Sequence, residues 1–486
     1  MRSPMDSIFS SLAARAAAQP EAPAFIDGKG VLTYRELLEG AEQAAQRLWQ
    51  QGVRARARVA LPLGGRAAGA RRTLKLFYGL AYLGAVVLPL YPEMAPAARA
   101  ALPRRYGLRL IDLRGLAAGG PARARAPRGD DPARPFLYEF TSGTTGAAKA
   151  LLLTQAQLAG VARAGAAADG WLPDDRVLPI VPWPSKAAAR YLLRVHGGGG
   201  ALVNLEFPRS RQELAARVRA AGVTAFCGSV EALRLLLKST PAPGETLPPL
   251  RALRVSGAPM RPEELRALRA QITPNVHFCY GTTETGMIAA LRPGEPVGDT
   301  LALRPVAPGL EAQAVGMNDE ALPAGTVGQL RYRAPWVPDK YAGNPEASAR
   351  HFRGGWFYPG DLGSIDAAGR IVLQGRADDV INFCGAMIVP QDIEPVLARF
   401  PGVDEVAVVG VPHPSAGQLP VAFVVARGAI DRAAWRKFCE HHIGDLRSPR
   451  RVIRVRELPR NPAGKLARER LVALYRRASG DNVAHG

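Results

Sequence analysis

A short segment between residues 140 and 149 concentrates the residue types that grip phosphate. It reads Phe140-Thr141-Ser142-Gly143-Thr144-Thr145-Gly146-Ala147-Ala148-Lys149. Glycines let a backbone turn tightly and approach phosphate oxygens, hydroxyls donate hydrogen bonds to those oxygens, and a lysine adds positive charge. The spacing differs from the Walker A pattern, which needs four residues between its glycines and then Gly-Lys-Ser/Thr. The segment therefore predicts a phosphate-binding loop outside the P-loop class.

Four further segments carry candidate binding or catalytic residues in glycine-containing turns. They are Tyr280-Gly281-Thr282-Thr283-Glu284-Thr285, Tyr358-Pro359-Gly360-Asp361-Leu362-Gly363, Gly375-Arg376-Ala377-Asp378-Asp379 and Leu458-Pro459-Arg460-Asn461-Pro462-Ala463-Gly464-Lys465-Leu466. A tyrosine can stack on a base, and a carboxylate such as Glu284 is a ligand that Mg²⁺ prefers. Each segment taken alone is also ordinary turn material, so its meaning depends on the order of all five.

The elements that must position these turns alternate between strands and helices. Apolar runs predict strands at residues 58–61, 85–90, 136–140, 176–180, 201–203, 223–226, 253–255 and 276–278, with helices at residues 71–82 and 211–220. Residues 115–135 predict an exposed loop, and Gly197 to Gly200 a glycine turn. We expect an α/β fold with doubly wound sheets and covering helices over residues 1–375. A small, mobile α+β domain is expected over residues 376–486.

Composition limits the classes of partner. The formal net charge is +21, yet 55 of the 63 basic residues are arginine and they are scattered along the chain. A nucleic-acid groove needs basic residues striped beside aromatic ones, so we expect no nucleic acid and favour an acidic or polyanionic partner. No run of eighteen apolar residues occurs, so no membrane span is expected.

The cysteines and the N-terminus indicate a cytoplasmic protein. The four cysteines are too far apart in sequence for a CxxC metal site or redox pair, so they are expected to be free thiols in a reducing compartment. Ile8, Leu12 and Ala16 predict an amphipathic first helix, in preference to a transit peptide.

The five segments, in their order and spacing, resemble the adenylate-forming superfamily, which contains acyl- and aryl-CoA synthetases, luciferases and peptide-synthetase adenylation domains. The resemblance extends from Leu32-Thr33-Tyr34-Arg35-Glu36-Leu37 to Lys465. It implies that ATP activates a carboxylic acid as its acyl-adenylate. The acyl group then passes to a thiol of CoA or of a carrier-protein phosphopantetheine.

The resemblance also implies roles for individual residues. The loop that binds the β- and γ-phosphates in the family is matched here by Thr141, Ser142, Gly143, Thr144, Thr145, Gly146 and Lys149. Gly257, Ala258 and Pro259 match the adenine turn, with Tyr280, Gly281 and Thr282 on the other side. Thr283 matches the α-phosphate contact, and Glu284, with Thr144, the Mg²⁺ site. Asp361 and Arg376 match the ribose contacts, Asp378 the hinge, Gly385 the thiol tunnel, and Lys465 the lysine that bridges the acid and the α-phosphate.

Three departures from the family pattern bear on the substrate. The segment Val181-Pro182-Trp183-Pro184-Ser185-Lys186-Ala187 lacks the usual histidine, and Trp183 takes the place of the aromatic wall. Met387 replaces an arginine that contacts phosphate in some relatives, and Ala148 replaces a proline. Lys186 and Arg190 either meet an anionic group or are solvated. No aspartate stands where relatives bind an ammonium group, so an amino acid substrate is disfavoured.

A small, flat acid pocket is matched by Trp183, Phe226, Cys227 and Gly228, which favours an aryl acid.

Three other functions remain open: an adenylating ligase whose acceptor is an amine or hydroxyl, a degenerate nucleotide-binding scaffold, and a nucleic-acid-binding protein. An acidic carrier protein would suit the arginine-rich C-terminal segment, and CoA is the alternative acceptor.

Overall fold

The computed structural model describes residues 6–63, 69–92, 94–113, 126–141, 149–181, 183–205, 211–237, 247–384, 386–461 and 466–480. The chain divides into two compact units. The first comprises Met1–Ala312 and Tyr332–Phe357, and the second comprises Gln313–Arg331 and Tyr358–Gly486. The boundary at residues 375 and 376 stays a prediction.

The elements follow one another along the chain as strands and helices. The first part contains α1 (Ile8–Ala18), β1 (Pro23–Asp27), β2 (Gly30–Thr33), α2 (Tyr34–Gln50), β3 (Arg58–Pro62), α3 (Ala70–Leu83), β4 (Val86–Leu90), α4 (Pro96–Arg105), β5 (Arg109–Leu110), β6 (Pro135–Phe140), β7 (Ala150–Thr154), α5 (Gln155–Asp169), β8 (Arg176–Ile180), α6 (Lys186–Gly198), β9 (Ala201–Val203), α7 (Arg211–Ala220), β10 (Ala225–Ser229), α8 (Val230–Leu237), β11 (Ala252–Ser256), α9 (Pro262–Gln271), β12 (Val276–Thr282), β13 (Gly286–Leu291) and β14 (Ala302–Pro305).

The remaining elements include the segments where the chain changes from one unit to the other. They are β15 (Glu311–Val315), β16 (Gly328–Arg333), α10 (Pro345–His351), β17 (Phe352–Arg353), β18 (Trp356–Phe357), β19 (Asp361–Ile365), β20 (Ile371–Arg376), β21 (Ile381–Phe383), β22 (Ala386–Ile388), α11 (Pro390–Leu397), β23 (Val403–His413), β24 (Gly417–Ala426), α12 (Arg432–Ile443), β25 (Arg451–Arg454) and α13 (Arg468–Gly480).

Two sheets build the first unit. The smaller has the order β5-β3-β4-β6-β7, and all its described pairs are parallel except β6 with β7. The larger runs β2-β1-β9-β8-β10-β11-β12-β13-β14, with a parallel centre from β1 to β12 and antiparallel pairs at both ends. Parallel strands joined by helical crossovers give an α/β architecture, so the predicted fold class is confirmed.

Burial explains why these segments adopt their structures. Strand β4 is buried at all five positions, as expected for a parallel strand covered on both faces. In α1 the buried side chains are Ile8, Phe9, Leu12 and Ala16, which confirms the predicted amphipathic helix. Thr33 and Glu36 form a capping box that satisfies backbone donors at the start of α2. One hydrophobic core draws residues from both sheets and from α1, α2, α3, α5 and α6.

The second unit contains the predicted C-terminal α+β region. Strands β21 to β24 and β25 form a sheet of order β22-β21-β24-β23, with β25 parallel to β24. The long β23–β24 hairpin buries one face against α11 and α12, where Ile393, Leu397 and Trp435 are buried. The other face packs on Leu458 and Leu471. Two separate small cores therefore flank this one sheet.

Most predicted strands and helices are present, and two predictions change. Gly197 and Gly198 end α6, and Gly199 caps it in a left-handed conformation, so the predicted glycine turn is a helix terminus. Residues 280–282 belong to β12 and pair with β13, so the predicted loop is a hairpin. Much of the predicted exposed loop, residues 115–125, lies outside the described residues. Within the described ranges, no helix is both long and apolar enough to cross a bilayer.

Candidate functional site

The ends of the predicted phosphate-binding loop are fixed by strands β6 and β7. The Thr141 amide donates to the Lys149 carbonyl at 2.9 Å, which continues the antiparallel pairing beyond Phe140. Lys186 Nζ donates to the Phe140 carbonyl at 2.8 Å. Ser142, Gly143, Thr144, Thr145 and Gly146 lie outside the described residues. The structure therefore shows how the loop is anchored at Thr141 and Lys149.

The Lys149 ammonium group lies in an aromatic environment. Its Nζ is 2.8 Å from Nε2 of His351, the last residue of α10, and 5.2 Å from the centre of the Tyr341 ring. Tyr341 and His351 are both buried. Sequence reasoning did not identify either residue. The long separation of His351 from Lys149 left no local signal.

The Tyr280–Thr285 segment is a hairpin with an irregular register. The pairing of β12 with β13 shifts between Tyr280 and Gly281. A Cβ added at Gly281 would lie 2.1 Å from the Gly286 carbonyl oxygen, so only glycine fits there. The Thr282 and Thr285 hydroxyls lie 3.0 Å apart and hydrogen-bond each other. These contacts hold Thr283 and Glu284 at the tip of the hairpin.

Glu284 is a buried carboxylate with one defined partner. It is 7% exposed, and the Tyr341 hydroxyl donates to its Oε1 at 2.6 Å. No donor contacts Oε2 among the residues that the structure describes. One carboxylate oxygen beside phosphate oxygens and water is a donor set that Mg²⁺ accepts. No cluster of three or more His, Cys, Asp or Glu side chains suited to a metal occurs in the described parts of the chain.

An ion pair between Arg190 and Glu139 is hydrogen-bonded to the same hairpin at Thr283. Arg190 donates through Nε to Glu139 Oε1 at 2.7 Å and through Nη2 to Glu139 Oε2. Its Nη2 also donates to the Thr283 carbonyl at 2.8 Å. The Arg190 side chain is 19% exposed and that of Glu139 is 6% exposed. Arg190 is therefore neither solvated nor unpaired, and Glu139 is a partner that the sequence analysis missed.

The predicted adenine turn follows β11 directly. Gly257 has a positive φ of 96°, which favours glycine, and the Pro259 carbonyl accepts from Arg234 Nη2 at 3.3 Å. Tyr280 lies on β12 beside β11, with its ring centre 6.1 Å from that of Tyr332. The turn thus follows β11, and Tyr280 lies near the carboxyl end of the adjacent parallel strand β12.

The residues of the predicted acid pocket differ in exposure. Phe226 and Cys227 are fully buried in β10, and burial raises the pKa of the Cys227 thiol above its usual range. A Cβ at Gly228 would lie 3.3 Å from Ile180 Cβ, a tight contact. Trp183 is half-buried and comes shortly after the end of β8. The centre of its ring is 5.7 Å from that of Phe25. Trp183 is the one of these four with a side chain that reaches the surface.

In the second unit, Asp361 and Arg376 face each other on β19 and β20. Arg376 Nη1 donates to Asp361 Oδ1 at 2.8 Å, and Asp361 is buried. Arg376 also lies 3.7 Å from the Asp378 carboxylate. A single guanidinium therefore orients both the predicted ribose acid and the predicted hinge residue.

The segment after Asp378 is anchored to α13. Arg468 lies 3.2 Å from the Asp379 carboxylate and donates to Glu394 through two nitrogens. Burial raises the pKa of Asp379. Cys384 is exposed and has a positive φ of 49°. The predicted thiol-tunnel residue Gly385 and the predicted bridging lysine Lys465 lie outside the described residues.

Comparisons with known proteins identify the family. The AMP-binding enzyme family matches residues 12–111 and 102–342, and the AMP-binding enzyme C-terminal domain matches residues 392–465. The chain is 31% identical over 487 residues to the 2-succinylbenzoate–CoA ligase of Geobacillus kaustophilus, covering 95% of this chain and 96% of that protein. It is 33% identical over 349 residues to the sulfoacetate–CoA ligase of Cupriavidus necator, covering 70% of this chain and 67% of that protein.

Among solved structures, ATP-bound MatB from Rhodopseudomonas palustris aligns with a TM-score of 0.83 and 25% identity, covering 96% of this chain and 98% of that one. The family match extends over more than half of the chain and includes Lys149, Glu284 and the predicted adenine turn. The chain therefore belongs to the AMP-binding enzyme family, as an ATP-dependent ligase of the acid–thiol class.

Proposed function

We propose that this enzyme activates an aryl carboxylic acid as its acyl-adenylate and transfers the acyl group to the thiol of coenzyme A. The observation that carries the proposal is the arrangement around Tyr341. Its ring contacts the Lys149 ammonium, and its hydroxyl holds the Glu284 carboxylate. One tyrosine thus contacts both a cation and the proposed metal-binding carboxylate, the two kinds of group that a nucleoside triphosphate with Mg²⁺ needs.

The chemistry explains why these groups are needed. The acid's carboxylate attacks the α-phosphorus of ATP, and pyrophosphate leaves, so two anions must approach each other. Lys149 attracts the leaving phosphates, and Glu284 Oε2 is oriented to hold the metal. Mg²⁺, when bound, neutralises phosphate charge and orients the phosphates for in-line attack. Thr283, at the hairpin tip, is the proposed α-phosphate contact. Thr144 and Lys465 complete the proposed set.

The remaining nucleotide contacts follow the family pattern. We assign the adenine to the turn Gly257–Pro259 with Tyr280, and the ribose hydroxyls to Asp361. The Arg376 guanidinium fixes the Asp361 carboxylate, so both carboxylate oxygens keep a defined direction. Asp378 is the proposed hinge, and Gly385 lines the proposed path of the thiol.

The aryl acid is proposed from the pocket residues. Trp183 supplies a flat, half-buried wall, and Gly228 avoids the tight contact that a Cβ would make with Ile180 on the neighbouring strand. The relatives are named for different acids, one aromatic and one aliphatic. The acid is therefore to be determined by experiment, with benzoates as the leading group.

A second candidate acceptor is an acidic carrier protein bearing phosphopantetheine. Residues 432–477 contain fourteen Arg and Lys against four Asp and Glu. In the same unit, Met387 is 67% exposed and Leu446 is 53% exposed, and their elements contact each other. An apolar patch with arginines around it suits an acidic partner. We place either reaction in the cytoplasm, since the exposed Cys384 is a free thiol.

Carboxylate-dependent ATP–pyrophosphate exchange tests the proposal. The purified enzyme is assayed with aromatic and aliphatic acids, with Lys465→Ala as the paired variant. We expect the parent enzyme to catalyse exchange with benzoates. We expect Lys465→Ala to reduce that exchange rate on the order of 10²–10³-fold, by analogy with the loss of an oxyanion-hole donor. Adding CoA or a pantetheinylated carrier then identifies the acceptor through thioester formation.

Other outcomes would replace the proposal by one of its alternatives. Exchange followed by transfer to amines, with no thioester from CoA or carrier, would indicate a ligase with a non-thiol acceptor. ATP binding without exchange on any acid would indicate a degenerate scaffold. Binding to nucleic acid that falls steeply with salt and ignores ATP would indicate the nucleic-acid class.

A further inference from the structure

The contact between Lys149 and His351 fixes the protonation state of the imidazole. A lysine ammonium group carries three donors and no acceptor. At 2.8 Å, Nε2 of His351 therefore accepts a hydrogen bond from Lys149 Nζ, and the ring proton lies on Nδ1. An imidazolium ring would instead bring two cations together. The contact thus requires a neutral histidine.

The position of the His351 ring is set by packing on several sides. The residue is 8% exposed. Its ring meets the Tyr341 ring edge-on, with centres 5.8 Å apart, and stacks near Phe357, with centres 6.4 Å apart. Tyr341 is itself tied to Glu284. Because its surroundings restrict rotation of the ring, Nε2 points at a defined place in the site.

We propose that His351 is a positioning residue for Lys149: it holds the lysine ammonium group over the Tyr341 ring, in a direction suited to the β- and γ-phosphates of ATP. A neutral acceptor is suited to this task. It fixes the ammonium group without cancelling its charge, whereas a carboxylate there would neutralise the cation that the phosphates need. This inference rests on the proposed role of Lys149 in phosphate binding.

The test compares three substitutions at residue 351. His351→Leu removes the acceptor, His351→Gln offers an amide oxygen near the former Nε2, and His351→Glu adds a negative charge. Calorimetry measures the Kd of ATP and of AMP, without any acid, for each variant. AMP lacks the β- and γ-phosphates and is the internal control. Phe357→Leu loosens the packing of the same ring while keeping the acceptor.

We expect His351→Leu and His351→Glu to weaken ATP binding by about tenfold or more, since hydrogen bonds to charged groups are among the stronger ones in proteins. AMP binding should be unchanged. His351→Gln should restore ATP binding to within a few-fold. Phe357→Leu frees the ring but keeps the acceptor, so it should weaken ATP binding less than His351→Leu does and leave AMP binding unchanged. In exchange kinetics, the loss should appear as a raised KM for ATP.

Two results would overturn the inference. One is an equal loss for His351→Gln and His351→Leu, which indicates a purely structural role. The other is equal weakening of ATP and AMP, which removes the link to the outer phosphates. Because binding is measured without acid or thiol, the ATP-selective pattern would stand even if no acid supported exchange. If the parent enzyme supports exchange but the His351 variants show no ATP-selective loss of binding, this inference is refuted while the proposed function stands.

Discussion

The Tyr341 hydroxyl is the one defined donor to the Glu284 carboxylate among the described residues. Tyr341→Phe keeps the ring under Lys149 and removes that donor. A hydrogen bond to a charged group contributes roughly 1.5–3 kcal/mol, and 1.4 kcal/mol is a factor of ten. We therefore expect pyrophosphate exchange to fall by about tenfold or more. Tyr106→Phe is the control, since its hydroxyl makes no hydrogen bond in the described structure. Equal exchange rates in both variants would show that Glu284 needs no such support.

Arg190 and Glu139 form a pair whose loss should act on folding. Arg190→Ala leaves the Glu139 carboxylate buried without its guanidinium. Removing one partner of a buried pair destabilises a protein by about 3–5 kcal/mol. We expect a lower urea midpoint by fluorescence, and weaker exchange because the Thr283 carbonyl also loses its donor.

The matched control for Arg190 is Arg35→Ala, which breaks an ion pair with Glu21 in the same unit. Both side chains there are more than half exposed, at 55% and 74%. Exposed pairs contribute less than about 1 kcal/mol. If Arg190→Ala and Arg35→Ala had similar midpoints, burial of the Glu139 carboxylate would not be the source of the effect.

At the scale of elements, helices α2 and α3 pack closely enough to require glycine at one position. A Cβ at Gly79 in α3 would lie 2.8 Å from the Ala45 amide nitrogen and 2.9 Å from the Ala41 carbonyl oxygen, both backbone atoms of α2. We expect Gly79→Ala to destabilise the first unit by about 1–3 kcal/mol through overpacking. Thermal unfolding measures this as a lower Tm.

Gly40→Ala in α2 is the matched control for Gly79. Its Cβ would meet only the distal atoms of the Lys75 side chain, which can move away. Alanine has the higher helix propensity, by about 1 kcal/mol. Gly40→Ala should therefore be neutral or stabilising. A lower Tm for Gly40→Ala than for Gly79→Ala would contradict close backbone packing as the cause.

Elements differ in how well the sequence predicts them. Buried strands such as β4 and the helix α3 were predicted because continuous or periodic apolar residues reflect local burial. The β12–β13 hairpin was not predicted. Tyr280, Gly281 and Thr282 form the end of β12. Their pairing with β13 depends on the close approach of Gly281 to the Gly286 backbone. Local composition carries little information on such contacts.

The candidate site shows the same limit. Thr141, Lys149 and Glu284 were found because glycine- and hydroxyl-rich segments are visible in the sequence. Their partners Tyr341 and His351 were not found, and neither was Glu139, the partner of Arg190. Each of these three residues pairs with one that is distant in the sequence, and each looks like an ordinary strand, loop or helix residue. Sequence motifs thus identified the groups that we propose face the ligand, and only the fold identified the groups that hold them.

At the scale of the whole molecule, stability should depend on pH through His196. This histidine is buried at the end of α6, where Nε2 donates to the Ala24 carbonyl and Nδ1 accepts from the Tyr78 hydroxyl, each at 2.9 Å. Burial lowers its pKa to about 4. In the unfolded chain a histidine has a pKa of about 6.5, so the unfolded state binds the proton more readily.

The stabilisation from neutral His196 is therefore fully present above about pH 6.5 and is lost as the pH falls from there to about 4. The shift corresponds to roughly 3 kcal/mol across that window. His196→Gln cannot take up a proton, so its urea midpoint should decline less between pH 7 and pH 4 than that of the parent enzyme. His441→Gln, an exposed histidine in α12, is the control and should keep the parent slope. Equal slopes for all three proteins would mean that protonation of His196 does not contribute to acid unfolding, and that carboxylates account for all of it.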